Sequence, residues 1–141
     1  MALRPTNNAN IVWVTITNMG DIIYKDLSFK LNGILFEVQN KLGTKFQEKH
    51  YLKAICAYLD AENIPYATEV PLQIEINGII IGKFRADLII DNKILIELKA
   101  TDRLTIDHKM QMLRYLEALN FRLGLLINFR IRPLQIWRVP N

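Results

Sequence analysis

Hydrophobic positions in the first part of the chain recur every three or four residues, which is the spacing of a helix with one apolar face. The first such stripe comprises Leu31, Ile34, Leu35, Val38 and Leu42. Ser28 is a possible N-cap of this helix, and Gly43 stands where a helix commonly ends. A second helix is predicted from Phe46 to Asn63, because Pro65 disfavours a helical conformation at Ile64.

After Pro65 the residue types change to strand formers, and Asn77-Gly78 is a typical hairpin turn between two of the strands. The predicted strands are Thr68–Ile76, Ile79–Ile90, Ile94–Leu98, Leu123–Phe129 and Leu134–Val139. Helical spacing returns in Asp102–Leu119, with Thr101 or Thr105 as a possible cap. The order ααβββαββ predicts an α/β fold of the α+β kind, with a mixed sheet and helices on its faces.

Length and composition favour one domain, because 141 residues with 50% hydrophobic side chains can bury a core of ordinary size. The single Cys56 cannot form an internal disulfide and is expected to be a core thiol, which favours a cytoplasmic protein. A membrane span is excluded, since no apolar run reaches about 18 residues. Ile11–Ile16 is too short for a signal peptide and is predicted to be a strand or an appended arm.

The net charge of +4 comes entirely from the end of the chain. The last 22 residues contain four arginines and no acid, so the 14 basic residues before them balance the 14 acidic ones. The four are Arg122, Arg130, Arg132 and Arg138. They could bind phosphates through bidentate guanidinium contacts, or they could form the solvated edge of a sheet. Both interpretations remain open on this evidence.

One acidic residue lies on the apolar stripe of the second helix. At about 100° per residue, Glu48 points to the same side as the stripe of Leu52, Ile55 and Leu59, so it is predicted to face the core. An inward carboxylate is costly without a partner, which implies a metal ion or a buried cation. The alternative is a glutamate at the helix N-terminus that is favoured by the helix dipole.

The two strands around Asp91–Lys93 each have one charged face. The apolar faces comprise Phe84, Ala86, Leu88 and Ile90 in the first strand, and Ile94, Ile96 and Leu98 in the second. The first charged face carries Arg85 and Asp87. The second carries Glu97 and Lys99. An odd connection, such as three residues, would place Asp87 opposite Glu97, whereas an even one would separate them. Opposed carboxylates repel each other, which suggests a divalent cation.

The last helix carries polar residues at helical spacing. Gln111 and Tyr115 are four residues apart, and His108 precedes Gln111 by three, so one polar face could point to the site or to a substrate. His108 is interpreted as an ordinary surface or cap-proximal residue rather than a catalytic one. The chain has no phosphate-binding glycine loop and no Gly-x-Ser-x-Gly nucleophile motif.

Asp87 and Glu97-Leu98-Lys99 resemble the motif of the PD-(D/E)XK nuclease superfamily, with Ala86 in the place of its proline. The surrounding segments resemble the GxxExxY family, itself placed in that superfamily. These segments are Leu42-Gly43, Phe46, Glu48, Tyr51, Phe84–Asp87, Ile96–Ala100, Gln111, Tyr115-Leu116 and Leu123–Phe129. The position of the first glycine of the family motif is here Lys45. The loop before the second helix is therefore expected to differ in geometry from that of the family. The resemblance covers Gly20–Val139, so residues 1–18 are expected to be an extension and 19–141 a single nuclease-like domain.

The resemblance implies a restriction-endonuclease-like α/β/α core and a metal-dependent hydrolase of phosphodiester bonds in nucleic acid, with DNA as the expected partner. It implies that Mg²⁺ or Mn²⁺ is held by Asp87, Glu97, the backbone carbonyl of Leu98 and Glu48. Lys99 would position the attacking water, with Gln111 nearby. The expected nucleic-acid contacts are Arg85, Arg122, Arg130, Arg132 and Tyr115.

The competing interpretation is a catalytically silent nucleic-acid-binding or protein-assembly module that retains the nuclease fold. Lys45 favours this alternative, whereas two retained carboxylates beside a lysine favour the enzyme, because their repulsion has no structural use. A homodimer is also possible, since Ile11–Ile16 and Leu134–Val139 are apolar strand segments that could pair between copies. The sequence leaves the substrate structure and its specificity open.

Overall fold

The computed structural model describes residues 22–141 and the backbone of two short strands before them. These strands, β1 (Leu3–Arg4) and β2 (Val14–Thr15), form an antiparallel pair. The strand or arm predicted at Ile11–Ile16 thus contains β2, and the rest of that segment lies outside the described residues. The predicted boundary between residues 18 and 19 also lies outside them.

Two helices cover one face of the main sheet, α1 (Lys25–Leu42) and α2 (Glu48–Ala61). The helix α1 begins earlier than predicted, so Ser28 is not its cap. Ser28 is buried in the helix, where its hydroxyl donates a hydrogen bond to the carbonyl of Ile23 at 3.4 Å. Gly43 ends α1 as predicted, with φ of 79°.

The main sheet has the mixed topology that the sequence predicted. Its strands are β3 (Tyr66–Ile76), β4 (Ile79–Ile90), β5 (Ile94–Lys99), β6 (Leu123–Asn128) and β7 (Gln135–Pro140). They lie in the order β3-β4-β5-β6-β7, and all neighbours are antiparallel except β5 and β6. The parallel connection runs through the third helix, α3 (Ile106–Leu119). This arrangement confirms the α/β/α architecture.

The sheet separates two hydrophobic cores, one against α1 and α2 and one against α3. Gly124 allows α3 to lie close to β6, because a side chain there would collide with the Met112 thioether. Thr105 caps α3, as one of the two sequence options predicted. Within residues 22–141, no helix combines the length and the apolar character that crossing a membrane requires.

The strand β4 leaves the sheet near Asp87. It pairs with β5 only over Leu88–Ile90, and beyond that point it forms a two-stranded arm with β3. The ladder between these strands skips the pair Glu69 and Asp87, and Glu69 has φ of 50°. Ala86 consequently belongs to the core beside α3, whereas Leu88 belongs to the core beside α1 and α2. The prediction of one continuous apolar face on this strand is therefore wrong.

Candidate functional site

The connection between β4 and β5 has the odd length that brings two carboxylates together. Ile90 pairs with Ile94, so Asp91–Lys93 form a three-residue loop, in which Asp91 and Asn92 have φ of 50° and 52°. Because Leu88 pairs with Ile96 in the same ladder, the next residues, Asp87 and Glu97, lie opposite each other.

The two carboxylates replace backbone hydrogen bonds where β4 and β5 diverge. The Leu98 N–H donates to Asp87 Oδ2 at 2.8 Å, and the Asp87 N–H donates to Glu97 Oε1 at 3.4 Å. Each side chain is thus held by the backbone of the opposite strand. The fork between the strands positions both acids without contributions from distant elements.

The electrostatics of this pair favour retention of a proton. Burial, together with the smaller effect of the negative charge of Asp87, raises the pKa of Glu97 to about 8. Burial also raises the pKa of Asp87, against the opposing effect of the Leu98 N–H. The positive charge and hydrogen bonds around these two half-buried acids are therefore too weak to keep both acids ionised.

Lys99 is the cation next to this pair. It lies two residues after Glu97 on β5, so both side chains project from the same face of the sheet. Its positive charge lowers the pKa of both carboxyls, although less than burial raises it. Lys99 forms no ion pair shorter than 4.0 Å with either acid. Among residues 22–141 the only such pair joins Lys93 to Asp91, at the other end of β5. Lys99 therefore acts on the acids through space.

Glu48 reaches the site from α2, but not in the predicted orientation. It is exposed rather than directed into the core, because it is the first residue of α2 and lies beyond the edge of the core. The buried stripe of this helix begins at Tyr51, with Leu52 only half-buried. Glu48 Oε2 accepts a hydrogen bond from the Ala100 N–H at 3.1 Å, directly after the end of β5. Its place in the first turn agrees with the helix-dipole alternative.

Tyr51 fixes the loop that starts α2. Its hydroxyl donates to the Gly43 carbonyl at 2.7 Å and accepts from the Phe46 N–H at 3.3 Å, while its ring stacks on Phe129 at 4.2 Å. Lys45, which replaces the glycine of the family motif, is exposed in this loop and does not have a positive φ. The position therefore does not require glycine.

The helix α3 contributes a polar face to the site, as the spacing of Gln111 and Tyr115 indicated. Burial raises the pKa of Tyr115, and the nearby charge of Glu97 raises it further, while a hydrogen bond with Gln111 opposes both. The Tyr115 ring stacks on Phe84 of the arm at 4.0 Å. His108 is a capping residue, since its Nδ1 accepts a hydrogen bond from the Thr105 N–H at 3.1 Å.

The arginines predicted to contact nucleic acid do not form one patch. Arg85 is exposed on the arm, and Arg130 is exposed just after β6, at the end of the sheet that carries Lys99. Arg132 donates to the Gln39 carbonyl at 3.3 Å. Arg122 lies before β6, at the opposite end of the sheet, with its guanidinium 5.6 Å from the ring centre of Tyr24.

Asn128 is a buried polar residue whose role the sequence interpretation did not include. Its Oδ1 accepts from the N–H groups of Thr101 and Arg130 at 3.2 and 3.1 Å. Its Nδ2 donates to the Thr101 carbonyl at 2.9 Å and to Gln135 Oε1 at 3.4 Å. The amide thus fixes the loop after β5. The available signal was an asparagine inside the otherwise apolar run Leu123–Phe129, since buried amides require partners.

The donor set at the fork fits a hard divalent cation. Leu98 directs its N–H toward Asp87, and in an extended strand the carbonyl of the same residue lies on the same edge. Two carboxylates and one carbonyl therefore line the gap between β4 and β5, and Mg²⁺ commonly binds to one or two carboxylates in proteins. Residues 22–141 contain no group of three or more acidic, histidine or cysteine side chains able to hold an ion, so Glu48 stands apart.

Comparison with known proteins identifies the superfamily of this chain. A family model of the PD-(D/E)XK nuclease superfamily matches residues 25–139. The chain belongs to the PD-(D/E)XK nuclease superfamily. Nucleases of this superfamily act on nucleic acid and generally use divalent metal ions. Such a nuclease-like domain agrees with the fork of β4 and β5 and with the sheet order.

A solved structure, that of SSO0001, is similar to this superfamily member, with a TM-score of 0.50 and 24% identity. The match covers 89% of this chain and 60% of that protein, so the chain spans about three-fifths of its length. The likeness supports the fold. A search of curated proteins finds no significant match.

Proposed function

We propose that this chain is a Mg²⁺-dependent nuclease of the GxxExxY type that hydrolyses phosphodiester bonds of DNA. The observation that carries the proposal is the pair Asp87 and Glu97 at the fork of β4 and β5, with Lys99 on the same face. Raised pKa values of both acids are expected where a cation normally compensates the charge. Hydrolysis of a phosphodiester requires that compensation and an activated water.

Asp87, Glu97 and the Leu98 carbonyl would hold the ion. Glu48 Oε2 lies on the Ala100 N–H, two residues beyond Leu98 and so about 7 Å along the strand, which suits a contact through water. When bound, Mg²⁺ would supply Lewis-acid polarisation of the phosphoryl oxygen and of a water. Mn²⁺ would suit the same oxygen donors.

Lys99 orients the attacking water and offsets the charge of the scissile phosphate. Its ammonium group has three donors and no carboxylate within ion-pair distance in residues 22–141, so its hydrogen bonds are available to water and phosphate. Tyr115 lies near Glu97 with Gln111 beside it on α3, so both groups could orient a substrate oxygen. Lys99, Gln111 and Tyr115 would thus all act on the face of the sheet that α3 covers.

The substrate would approach the side of the sheet that carries Glu97 and Lys99. Arg85 and Arg130 are exposed near this end of the sheet, and Tyr115 lies near Glu97. Arginine and tyrosine contacts to the phosphodiester backbone position a nucleic acid without reading its sequence. Arg132 would contribute only if it exchanged its hydrogen bond to Gln39 for a phosphate. Arg122, at the far end of the sheet, would require a long substrate.

A catalytically silent nucleic-acid-binding or assembly module is the second candidate. The observation that favours it is the absence of a three-ligand acidic cluster among residues 22–141. A silent module would bind nucleic acid equally well with and without Mg²⁺. The enzyme would cut it only with the ion present.

Isothermal titration with Mg²⁺ and Mn²⁺ tests the proposal, with Asp87→Ala and Glu97→Ala as site variants. Asp91→Ala is the matched control, because its carboxylate pairs with Lys93 at 3.0 Å at the other end of β5. We expect binding that both site variants lose and the control keeps, followed by cleavage of labelled duplex or single-stranded DNA. A native protein that neither binds the ion with substrate present nor cleaves DNA would contradict the proposal and favour the silent module.

A further inference from the structure

The arm formed by β3 and β4 ends in an apolar tip that nothing in the described chain covers. The tip consists of Ile76, Ile79, Ile80 and Ile81, on both sides of the Asn77-Gly78 turn, and these side chains are 44–65% exposed. A register shift beside Ile74 leaves Ile81 as the extra residue of β4. Clustered exposed isoleucines are unusual in a monomer and typically mark a contact surface.

The tip lies far from the candidate active site. From Ala86 to Ile79 the strand β4 has only β3 as a partner, so the arm projects about 25 Å from the fork. The catalytic proposal therefore gives these isoleucines no role.

A second apolar surface lies between α3 and β7, the strand at the edge of the sheet. Ile106 and Met110, one turn apart, are 67% and 45% exposed. Ile106 also lines a groove of about 240 Å³, together with Lys109, Trp137 and Arg138. This groove is concave and mainly apolar, whereas the tip is convex.

The groove is lined by Lys109 and Arg138, and beside the tip Glu75 is an exposed acid that could face them, although Lys83 is also exposed there. Glu75 pairs with Ile80 next to the tip and is held by a hydrogen bond from Gln73 at 2.7 Å. Lys109 is exposed at the rim of the groove.

We propose that the tip of one copy docks in the α3–β7 groove of a second copy, and that the exchange is reciprocal. Two such contacts are related by a two-fold axis, so each copy supplies one tip and one groove. From the exposed fractions, the two contacts together would cover on the order of 1,000 Å², the lower limit for a specific interface. The occupant is thus a second copy of this chain, with Glu75 facing Lys109.

Sedimentation of the full chain over a concentration series tests the arrangement. We expect a dimer whose dissociation constant rises at least about thirtyfold in the tip variant Ile79→Asp and in the groove variant Ile106→Asp. Phe46→Asp, which alters an exposed apolar residue before α2 and outside both surfaces, is the control and should leave the dimer unchanged. Circular dichroism checks that each variant folds.

Mixing the two variants is the decisive step. The tip variant retains its groove and the groove variant retains its tip, so the mixture should form a heterodimer through one intact contact while each variant alone is monomeric. Exchange of the charges by Glu75→Lys with Lys109→Glu should restore what either single change weakens. A monomeric native protein would overturn the proposal. So would a dimer that Ile106→Asp leaves intact, because the two copies would then associate through surfaces other than the groove.

Discussion

The fork of β4 and β5 and the tip of the arm depart from the usual distribution of polar and apolar residues in opposite directions. At the fork, Asp87 and Glu97 are half-buried acids with raised pKa values. At the tip, Ile79 and Ile81 are apolar and 65% and 60% exposed. Burial of an acid and exposure of an isoleucine both cost free energy unless another group compensates them.

Each departure therefore indicates the chemistry of a missing partner. The acids require positive charge, which suits a cation and a lysine, and the isoleucines require an apolar surface. Both features belong to the same strand, since β4 carries Asp87 at its inner part and Ile79 at its outer end. The strand connects a candidate active site to a candidate contact surface about 25 Å away.

The largest expected effect is the loss of catalysis on removal of Lys99. We expect Lys99→Ala to reduce cleavage by a factor of about 10² to 10⁴, because water positioning and phosphate compensation are lost together, with metal binding retained. The control is Lys93→Ala, which removes a lysine from the opposite end of β5. Cleavage rates under single-turnover conditions measure the difference. Equal rates for native protein and Lys99→Ala would exclude the lysine from the mechanism.

The second effect is a pH dependence of stability that originates at the fork. The pKa of Glu97 is raised from 4.5 to about 8 in the folded protein, so the folded state holds a proton that the unfolded state releases. The free energy of unfolding of the metal-free protein should therefore fall as the pH rises from about 4.5 to 8. Glu97→Gln should lose this decrease and raise the Tm at pH 8 by several degrees.

Mg²⁺ should change the pH dependence of stability, because it binds to the same carboxylates. Binding must displace the proton, so the ion should raise the Tm of the native protein more at pH 8 than at pH 6. It should not raise the Tm of Glu97→Gln to the same extent. Thermal unfolding at matched ionic strength measures both. A native Tm that rises steadily between pH 5 and 8 without metal would contradict the proposed electrostatics.

Local sequence information was sufficient for the elements, but it left two options for the relative position of the acids. The helices, strands and hairpin turn follow from periodicity and turn residues, and a three-residue loop at Asp91–Lys93 was one of two options that the sequence left open. The resemblance carried by Asp87 and Glu97-Leu98-Lys99 gave the superfamily, which the family model confirms.

Features that depend on where an element ends relative to the sheet could not be predicted. Glu48 lies on the predicted helical stripe, yet it is exposed because α2 starts beyond the core. The run Ile79–Ile81 resembles a buried strand, but it is exposed because β5 does not extend beside it. The wrong orientation predicted for Glu48 and the unpredicted exposure of Ile79–Ile81 both depend on neighbours distant in sequence, which periodicity does not report.

The third effect concerns the loop after β5. Asn128→Ala removes an amide that makes four hydrogen bonds and leaves the Thr101 and Arg130 N–H groups unsatisfied, so we expect a loss of about 2–3 kcal/mol in unfolding free energy. Faster hydrogen exchange at the Thr101 amide should accompany it. Asn40→Ala, at an exposed position on α1, is the control. Urea unfolding measures the loss, and a change below about 0.5 kcal/mol would show that the loop is held by other contacts.

The smallest change is expected at the exposed outer end of β4, and the buried inner part of the same strand provides the reference. Leu88→Ala, at a fully buried position, should destabilise the protein by about 2–5 kcal/mol, because it leaves a cavity in the core beside α1 and α2. Ile79→Ser and Ile81→Ser should change the stability by no more than about 0.5 kcal/mol in dilute solution, where dimers do not contribute. Urea unfolding at low protein concentration measures all three variants. A large loss at Ile79 under these conditions would mean that the tip is covered within one chain, and the reason to expect a second copy would then disappear. A small loss, together with a concentration-dependent Tm in the native protein alone, would show that the isoleucines stabilise an association rather than the fold.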